Sequence, residues 1–499
     1  MNGMEDGKKQ LRQFVFLNKT DDKLKMDGDS MYDILIVGSG IVGSLIAYEC
    51  SKYQLKVLVL DKENDVANES TMANSAIIHA GFDPVPGSLK AKLNVEGKHL
   101  YEALCQTLKV EYRKLGSLTV ATNDEEVEKL EHLAKRAKEN EVNVQLINGE
   151  EVRALEPNLS TQIIKGLLCE DTAIIYPWEV AIAAMETAML NGVELKLNTE
   201  VQTIEKMEFG YLVNGQYKAR VVINAAGLFG DEIAKMINPN FEVDITPRRG
   251  TYFVLDKDFN AVSRVIYPTP TERGKGVLIV PTTHGNTLIG PDSELIEDKE
   301  NVATTVEAYN YIRDQLSKLL PSFPISNVMR SFTGLRASSS YGDFYIQPDA
   351  QYETFVNVIG IDSPGLSASP AIAKYVLNLI QPHVKLTEKD DYQEREAYVN
   401  LKVLNREQKN ELIKQNPAYG RMVCRCEQIT EGEIVDVIGR YAGATTVKGV
   451  KKRCRPGMGK CQGSFCEPIV LQILARELNQ KLDEVNYDEV GTQVLVEEK

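Results

Sequence analysis

Apolar and polar positions alternate in blocks that resolve into strand, turn and helix. Asp33 to Val37 is an apolar run closed by glycine, which predicts a short strand. Gly38-Ser39-Gly40-Ile41-Val42-Gly43 follows at once, then a helix-like stretch from Ser44 to Tyr53. A second apolar run, Lys56 to Leu60, ends in Asp61, 23 residues after Gly38, and completes a βαβ unit with an acid at the end of its second strand. Val221 to Gly227 is another buried-strand pattern ending in small residues. From Thr251 to Gly290 the pattern changes: Thr251 to Leu255 and Val277 to Val280 are β-rich and separated by Pro and Gly turns, as in an antiparallel sheet. Phe355 to Ile361, then Asp362-Ser363-Pro364-Gly365-Leu366 and a small-residue helix, repeats the strand-turn-helix theme. Residues 386–420 are polar and charged and read as a linker or surface helix.

The chain has 499 residues, about three domain-equivalents, so one small domain is excluded. Its formal charge of −14 repels phosphate backbones and argues against nucleic-acid binding. The longest apolar candidate, Ile34 to Cys50, is broken by three glycines, two serines, Tyr48 and Glu49, so no membrane span is expected. Residues 1–30 carry six basic and six acidic side chains and no signal-peptide core, and read as a mobile arm of a cytoplasmic protein.

The glycines have a mechanical reason. Gly38 permits a tight turn, Gly40 lets the backbone approach a pyrophosphate, and Gly43 lets helix and strand pack closely. The pyrophosphate then sits on a helix N-terminus, and Asp61 is placed to accept hydrogen bonds from a ribose diol. Only one such fingerprint is present. That favours a single bound FAD with electrons leaving by another route over flavin-to-nicotinamide transfer within one chain.

Together with Asn74 to Gly81, Pro86 to Lys90, Asn224 to Gly227, Gly334-Leu335-Arg336 and Ser363 to Leu366, this fingerprint resembles the D-amino-acid-oxidase-like FAD-dependent oxidoreductases. Within them it is similar to anaerobic glycerol-3-phosphate dehydrogenase large subunits and L-2-hydroxyglutarate oxidases. The resemblance implies an α/β (α+β overall) fold: a Rossmann-like FAD-binding domain interleaved with an antiparallel substrate sheet across 31–385. FAD-binding parts fall at about 31–90, 150–240 and 330–385, and substrate parts at about 91–149 and 241–329. It also implies cofactor contacts from Gly38, Gly40, Ile41, Val42, Gly43, Asp61, Lys62, Asn74, Ser75, Val201, Ala226, Gly227, Gly334, Gly365 and Leu366. Ala76 departs from the glycine that many relatives carry in the loop facing the flavin.

Of eight cysteines, five crowd into the C-terminal part, which in a reducing compartment points to metal ligation. Cys424-x-Cys426 and Cys461-x4-Cys466 supply four thiolates in two close pairs, suited to a [2Fe-2S] cluster or to zinc. Residues 421–480 resemble the ferredoxin-like module of bacterioferritin-associated ferredoxin, which implies the cluster, with 481–499 as a tail. Nine Lys or Arg against four acids between Arg421 and Lys460 suit an anionic cluster. Cys454 is an extra thiol, a bystander or a swapped ligand.

Dehydrogenating an alcohol at a flavin needs a base for the hydroxyl proton and a cation for the substrate's anionic group. His79 and His284 are the candidate bases among five histidines. Arg336 leads as the anion clamp, with Arg249 and Lys90 behind it. The expected activity is oxidation of a small anionic secondary alcohol, sn-glycerol 3-phosphate to dihydroxyacetone phosphate first. Electrons would pass through the cluster to an acceptor protein or quinone-linked subunit, with peripheral membrane association through that partner. The alternatives are an L-2-hydroxy acid such as L-2-hydroxyglutarate, an opine- or proline-like amine, and a non-catalytic flavin and iron–sulfur electron-transfer partner.

Overall fold

The computed structural model describes residues 31–259, 261–270, 274, 276–322 and 325–496, so the expected N-terminal arm lies outside the described residues. Its first sheet is built around Tyr32–Val37, which pairs in parallel with Val57–Leu60 on one side and Tyr217–Asn224 on the other. Glu194–Lys196 and Phe355–Ile359 extend it in parallel, and short antiparallel strands finish its edges. The unbroken apolar runs are explained by cover on both faces. Ile34, Ile36, Val57 and Val59 pack under helices Ile41–Ser51, Pro177–Leu190 and Gly365–Ile380, while Leu35, Val37, Leu58 and Leu60 pack with Ile204, Val213 and Ile233 opposite.

A second, nine-stranded sheet is mostly antiparallel. Its longest pairing joins Ile245–Leu255 to Val328–Ser339. Phe253, Ile266, Ile279 and Ile289 of this sheet pack with Ile312 and Leu316 of the helix Val306–Leu319. Two expected boundaries move. Lys165–Cys169 pairs with Ser117–Ala121, so the substrate sheet runs past residue 150, and Val328–Ser339 belongs to it rather than to the FAD-binding part. Local apolar pattern identifies a strand but not the sheet it joins.

The cysteine-rich module is a short hairpin, Met422–Cys424 with Ile429–Thr430, and helices Glu431–Gly439, Val447–Cys454 and Glu467–Leu478 around Ile434, Val450 and Leu474. Three buried carboxylates hold it down. Asp65 receives Arg453 and Lys452, Glu186 receives Arg395 and Arg440, and Glu427 receives Lys257, Lys402 and Arg455. The segment 386–420 is therefore not a free linker: Arg395 is 1% exposed and donates to Glu186 and to the Leu108 carbonyl. The tail also returns, with Val485 buried and Asp488 paired to Lys448.

Candidate active site and thiol pairs

The glycine turn forms a cradle that only bare backbone allows. A Cβ on Gly38, at φ +100°, would lie 2.5 Å from the Ala225 carbonyl, and one on Gly43 would lie 2.0 Å from the Gly38 carbonyl. The helix from Ile41 starts at Gly40, which offers no side-chain cap, and has no acid in its first turn; Ile41 N–H donates to Thr71 Oγ1 at 2.9 Å, and the dipole at this N-terminus still favours an anion. Helix Gly365–Ile380 also starts without a side-chain cap, and its first residues line the same cavity. These features fit a bound FAD, which Gly40, Ile41 and Val42 and, farther along, Gly365 and Leu366 would contact, since all five line the cavity. Gly43→Ala is expected to yield folded protein without flavin, read as lost yellow absorbance at unchanged far-ultraviolet circular dichroism.

Asp61 sits at the strand end as expected, where Oδ2 accepts from the Ser39 backbone N–H at 2.5 Å and hydroxyl at 2.6 Å, and Oδ1 from Glu63 N–H. Neighbouring Glu63 is raised to about 7 by burial and by Glu69 and Asp61. Lys62 lies over the Phe229 ring and pairs with Glu300 at 3.2 Å. Val201 is buried in the apolar cluster under the first sheet. Gly334 has a different use: a Cβ there would lie 1.9 Å from the Ala73 carbonyl, so it lets the second sheet approach the loop carrying Asn74 and Ser75.

A cavity of about 400 Å³ opens between that loop, the helices starting at Ile41 and Gly365 and the second sheet. Asn74, Ser75, His79, Gly227 and Arg336 line it. So does Arg248, whose importance the sequence did not reveal. The sheet register places Arg248 directly opposite Arg336. Arg248 donates to Ser293 Oγ at 3.1 Å and Arg336 to the Asp292 carbonyl at 3.3 Å, and among the described residues neither has a carboxylate within salt-bridge reach. Like charges facing across a strand pair are unfavourable, so this arrangement awaits an anion. Tyr252, stacked on Phe332, shares a 3.0 Å hydrogen bond with Ser75 in the same wall.

His79 lines the cavity, with Nδ1 3.4 Å from the Tyr267 hydroxyl. Burial pushes the Tyr267 phenol well above its ordinary range, so it stays protonated. Three other candidates fall elsewhere. Arg249 points to the opposite side of its strand, paired with Glu294 at 2.6 Å, because adjacent strand residues face opposite ways. Lys90 pairs with Asp362 at 2.7 Å behind the cavity rim. His284 lies against Glu179, at 3.2 Å, and the Tyr176 ring, next to Arg455 of the cysteine module.

The four thiols meet as two pairs. Cys426 and Cys461 are 3.7 Å apart, and Cys424 hydrogen-bonds with Cys466. Donation from the Cys466 thiol, then from the Gly457 and Glu427 backbone N–H groups, lowers Cys424 to about 6, while Cys466 is pushed up. Gly459 leaves room, since a Cβ there would lie 2.4 Å from that of Cys426. The two close pairs supply four cysteine thiolates, two for each iron of a two-iron cluster. Cys454 stands apart, half-buried, with its thiol 3.5 Å from the Val450 carbonyl.

Residues 33–379 match the FAD dependent oxidoreductase family, and residues 422–476 match the BFD-like [2Fe-2S] binding domain. A glycerol 3-phosphate dehydrogenase of Caloramator mitchellensis is 43% identical over 472 residues, which cover 93% of this chain and 98% of the relative. The FAD-bound L-alpha-glycerophosphate oxidase of Mycoplasma pneumoniae, 34% identical, superposes with a TM-score of 0.69 over 73% of this chain and 97% of its own. A Bacillus halodurans glycerol-3-phosphate dehydrogenase complexed with FAD, 15% identical, shares the fold at a TM-score of 0.66 over 91% of this chain and 92% of its own. No helix among the described residues is long and apolar enough to cross a membrane. The glycine cradle, the interleaved sheets and these matches agree: the chain belongs to the FAD-dependent oxidoreductases, and its C-terminal domain is of the BFD-like [2Fe-2S] type.

Proposed function

We propose that the chain oxidises sn-glycerol 3-phosphate to dihydroxyacetone phosphate and passes the electrons to an acceptor protein. The observation that carries this reading is the facing pair Arg248 and Arg336 in the cavity wall, which have no carboxylate partner among the described residues. Two planar guanidiniums can grip a phosphate dianion from adjacent sides, and the anion relieves their mutual repulsion. The strong similarity to a glycerol 3-phosphate dehydrogenase supports the same substrate.

In this reading Arg248 and Arg336 hold the phosphate and so fix where the secondary alcohol lies. His79 takes the hydroxyl proton, an imidazole being suited to proton transfer near neutral pH. The Tyr267 hydroxyl beside Nδ1 holds the ring in orientation. When bound, FAD supplies the acceptor for the substrate's C–H hydrogen with its electron pair, and the [2Fe-2S] cluster held by Cys424, Cys426, Cys461 and Cys466 supplies one-electron chemistry. His284, Glu179 and Tyr176 lie at the seam with the cysteine module and shape that contact rather than the substrate.

Anaerobic titration of the purified protein tests the substrate. Glycerol 3-phosphate is expected to bleach the flavin at stoichiometric amounts, with L-2-hydroxyglutarate and proline inert at the same concentration. Bleaching by either of those and not by glycerol 3-phosphate overturns the assignment.

A further inference from the structure

We infer that the Tyr252 hydroxyl, with Ser75 beside it, takes the primary hydroxyl of the substrate and so selects a hydroxymethyl group over a carboxylate next to the reacting carbon. This rests on the reading that glycerol 3-phosphate is oxidised here, and it names the residue that recognises the end of the molecule away from the phosphate.

Residues two apart along a strand share a face, and so do residues directly opposite each other in an antiparallel pair. Arg248, Gly250 and Tyr252 therefore lie in a row, opposite Arg336, Gly334 and Phe332. The middle pair is bare, and Arg336 uses the room. A Cβ on Gly250 would lie 2.5 Å from Arg336 Nη2, so the guanidinium lies over this glycine. Gly334 admits the loop from Ala73 to Ser75, whose Ser75 Oγ meets the Tyr252 hydroxyl at 3.0 Å. The row thus runs from a cation over Gly250 to a pair of hydroxyls at Tyr252. Between these two residues the strand advances about 7 Å, which an extended three-carbon phosphate ester spans. Arg336, Ser75 and Tyr252 all line the cavity, and the Tyr252 ring is held by stacking on Phe332, with centroids 4.9 Å apart and planes 12° from parallel.

Hydrogen-bonding capacity sets what this end accepts. A hydroxyl carries one donor and two acceptor sites, so Tyr252 and Ser75 can exchange roles around a substrate hydroxyl that both donates and accepts. Neither can neutralise a carboxylate. Among the described residues the only Arg or Lys side chains lining the cavity are Arg248 and Arg336, which the phosphate engages, and burying a second anion without a partner is costly. A 2-hydroxy acid with a carboxylate at each end would leave one of them unpaired beside Tyr252, whereas glycerol 3-phosphate places a neutral hydroxymethyl group there.

Steady-state dye reduction by the holoenzyme tests this with three phosphate esters of one carbinol configuration that differ only at that end. They are glycerol 3-phosphate, 2-hydroxypropyl phosphate, which has a methyl group there, and 3-phosphoglycerate, which has a carboxylate. Wild type is expected to oxidise the methyl ester with kcat/KM lower by about tenfold, the worth of one hydrogen bond, and the carboxylate ester more poorly still. Tyr252→Phe is expected to bring glycerol 3-phosphate down to the level of the methyl ester and to leave the methyl ester near its wild-type value, because residue and substrate then lack the same bond. Flavin absorbance and the inhibition constant of inorganic phosphate should not change, since both arginines are untouched. A tyrosine that only supports the wall would lower both esters together, and that result overturns the proposal. If Tyr252→Phe loses its flavin, Ser75→Ala, which removes the other hydroxyl, is read by the same ratio. Wild type that oxidises the methyl or the carboxylate ester as readily as glycerol 3-phosphate overturns this pocket alone, with no variant needed. Wild type inert toward glycerol 3-phosphate overturns the substrate assignment and this pocket with it.

Discussion

Arg336→Met is expected to lower kcat/KM for glycerol 3-phosphate by about 10- to 100-fold while the flavin stays bound, because a hydrogen bond to a charged group contributes about 1.5–3 kcal/mol and each 1.4 kcal/mol is about tenfold. Arg248→Met should act in the same direction, and the double variant should lose less than the product of the single losses, since both grip one anion. A second effect runs the opposite way. The two guanidiniums face each other across paired strands, so removing either relieves repulsion and is expected to raise the melting temperature of the substrate-free protein slightly. Weaker catalysis with equal or greater stability separates an anion clamp from a structural arginine, whose loss lowers both. Arg249→Met provides the contrast: that side chain is paired with Glu294 away from the cavity, so stability should fall and the KM should stay. An unchanged KM in Arg336→Met refutes the clamp.

The contrast between Arg248 and Arg249 shows where sequence reading runs out. Gly38 and Gly43 were legible because their requirement is steric and local, a bare backbone at a turn of fixed spacing. Two consecutive arginines in a strand give no such cue. Which one faces the cavity depends on the register between Ile245–Leu255 and Val328–Ser339, whose paired positions lie some ninety residues apart. His284 illustrates the same limit, for it sits in a turn of the second sheet whose neighbours, Glu179 and Tyr176, come from the first helix-covered layer. The cysteine pairs were readable from spacing, but the polar composition of 386–420 hid a buried Arg395, because a charged residue reads as solvated until its partner is placed. Glycines and ligand spacings are written locally; strand facing and buried ion pairs are written in tertiary contacts.

Asp65→Asn is expected to release the cysteine module from the FAD-binding part at a cost of about 3–5 kcal/mol, the range for removing one partner of a buried ion pair. Asp65 lies four residues past Asp61, and its carboxylate accepts from both terminal nitrogens of Arg453 at 2.7 and 2.8 Å, with Lys452 at 3.1 Å. Burial alone would raise that carboxyl, but the charges of Arg453 and Lys452 outweigh it and hold it below the usual carboxylate range, while burial lowers Lys452 to about 8. An amide in place of the carboxylate leaves two cations in a dry seam with no counter-charge. The sign of the pH effect follows. With the folded carboxyl depressed, its stabilisation is fully present above the unfolded value of about 3.9 and disappears as the pH falls through the lower folded value, so the gap between wild type and Asp65→Asn should close in acid. Calorimetry should show the module melting first in the variant, and limited proteolysis should cut earlier within 386–420. Replacing all three groups, as Asp65→Leu, Lys452→Met and Arg453→Met together, should recover most of the loss, because apolar packing can substitute for a buried ion pair whereas an orphaned charge cannot be tolerated. If the single variant melts and is cleaved like the wild type, the seam is held elsewhere, at Glu186 and Glu427.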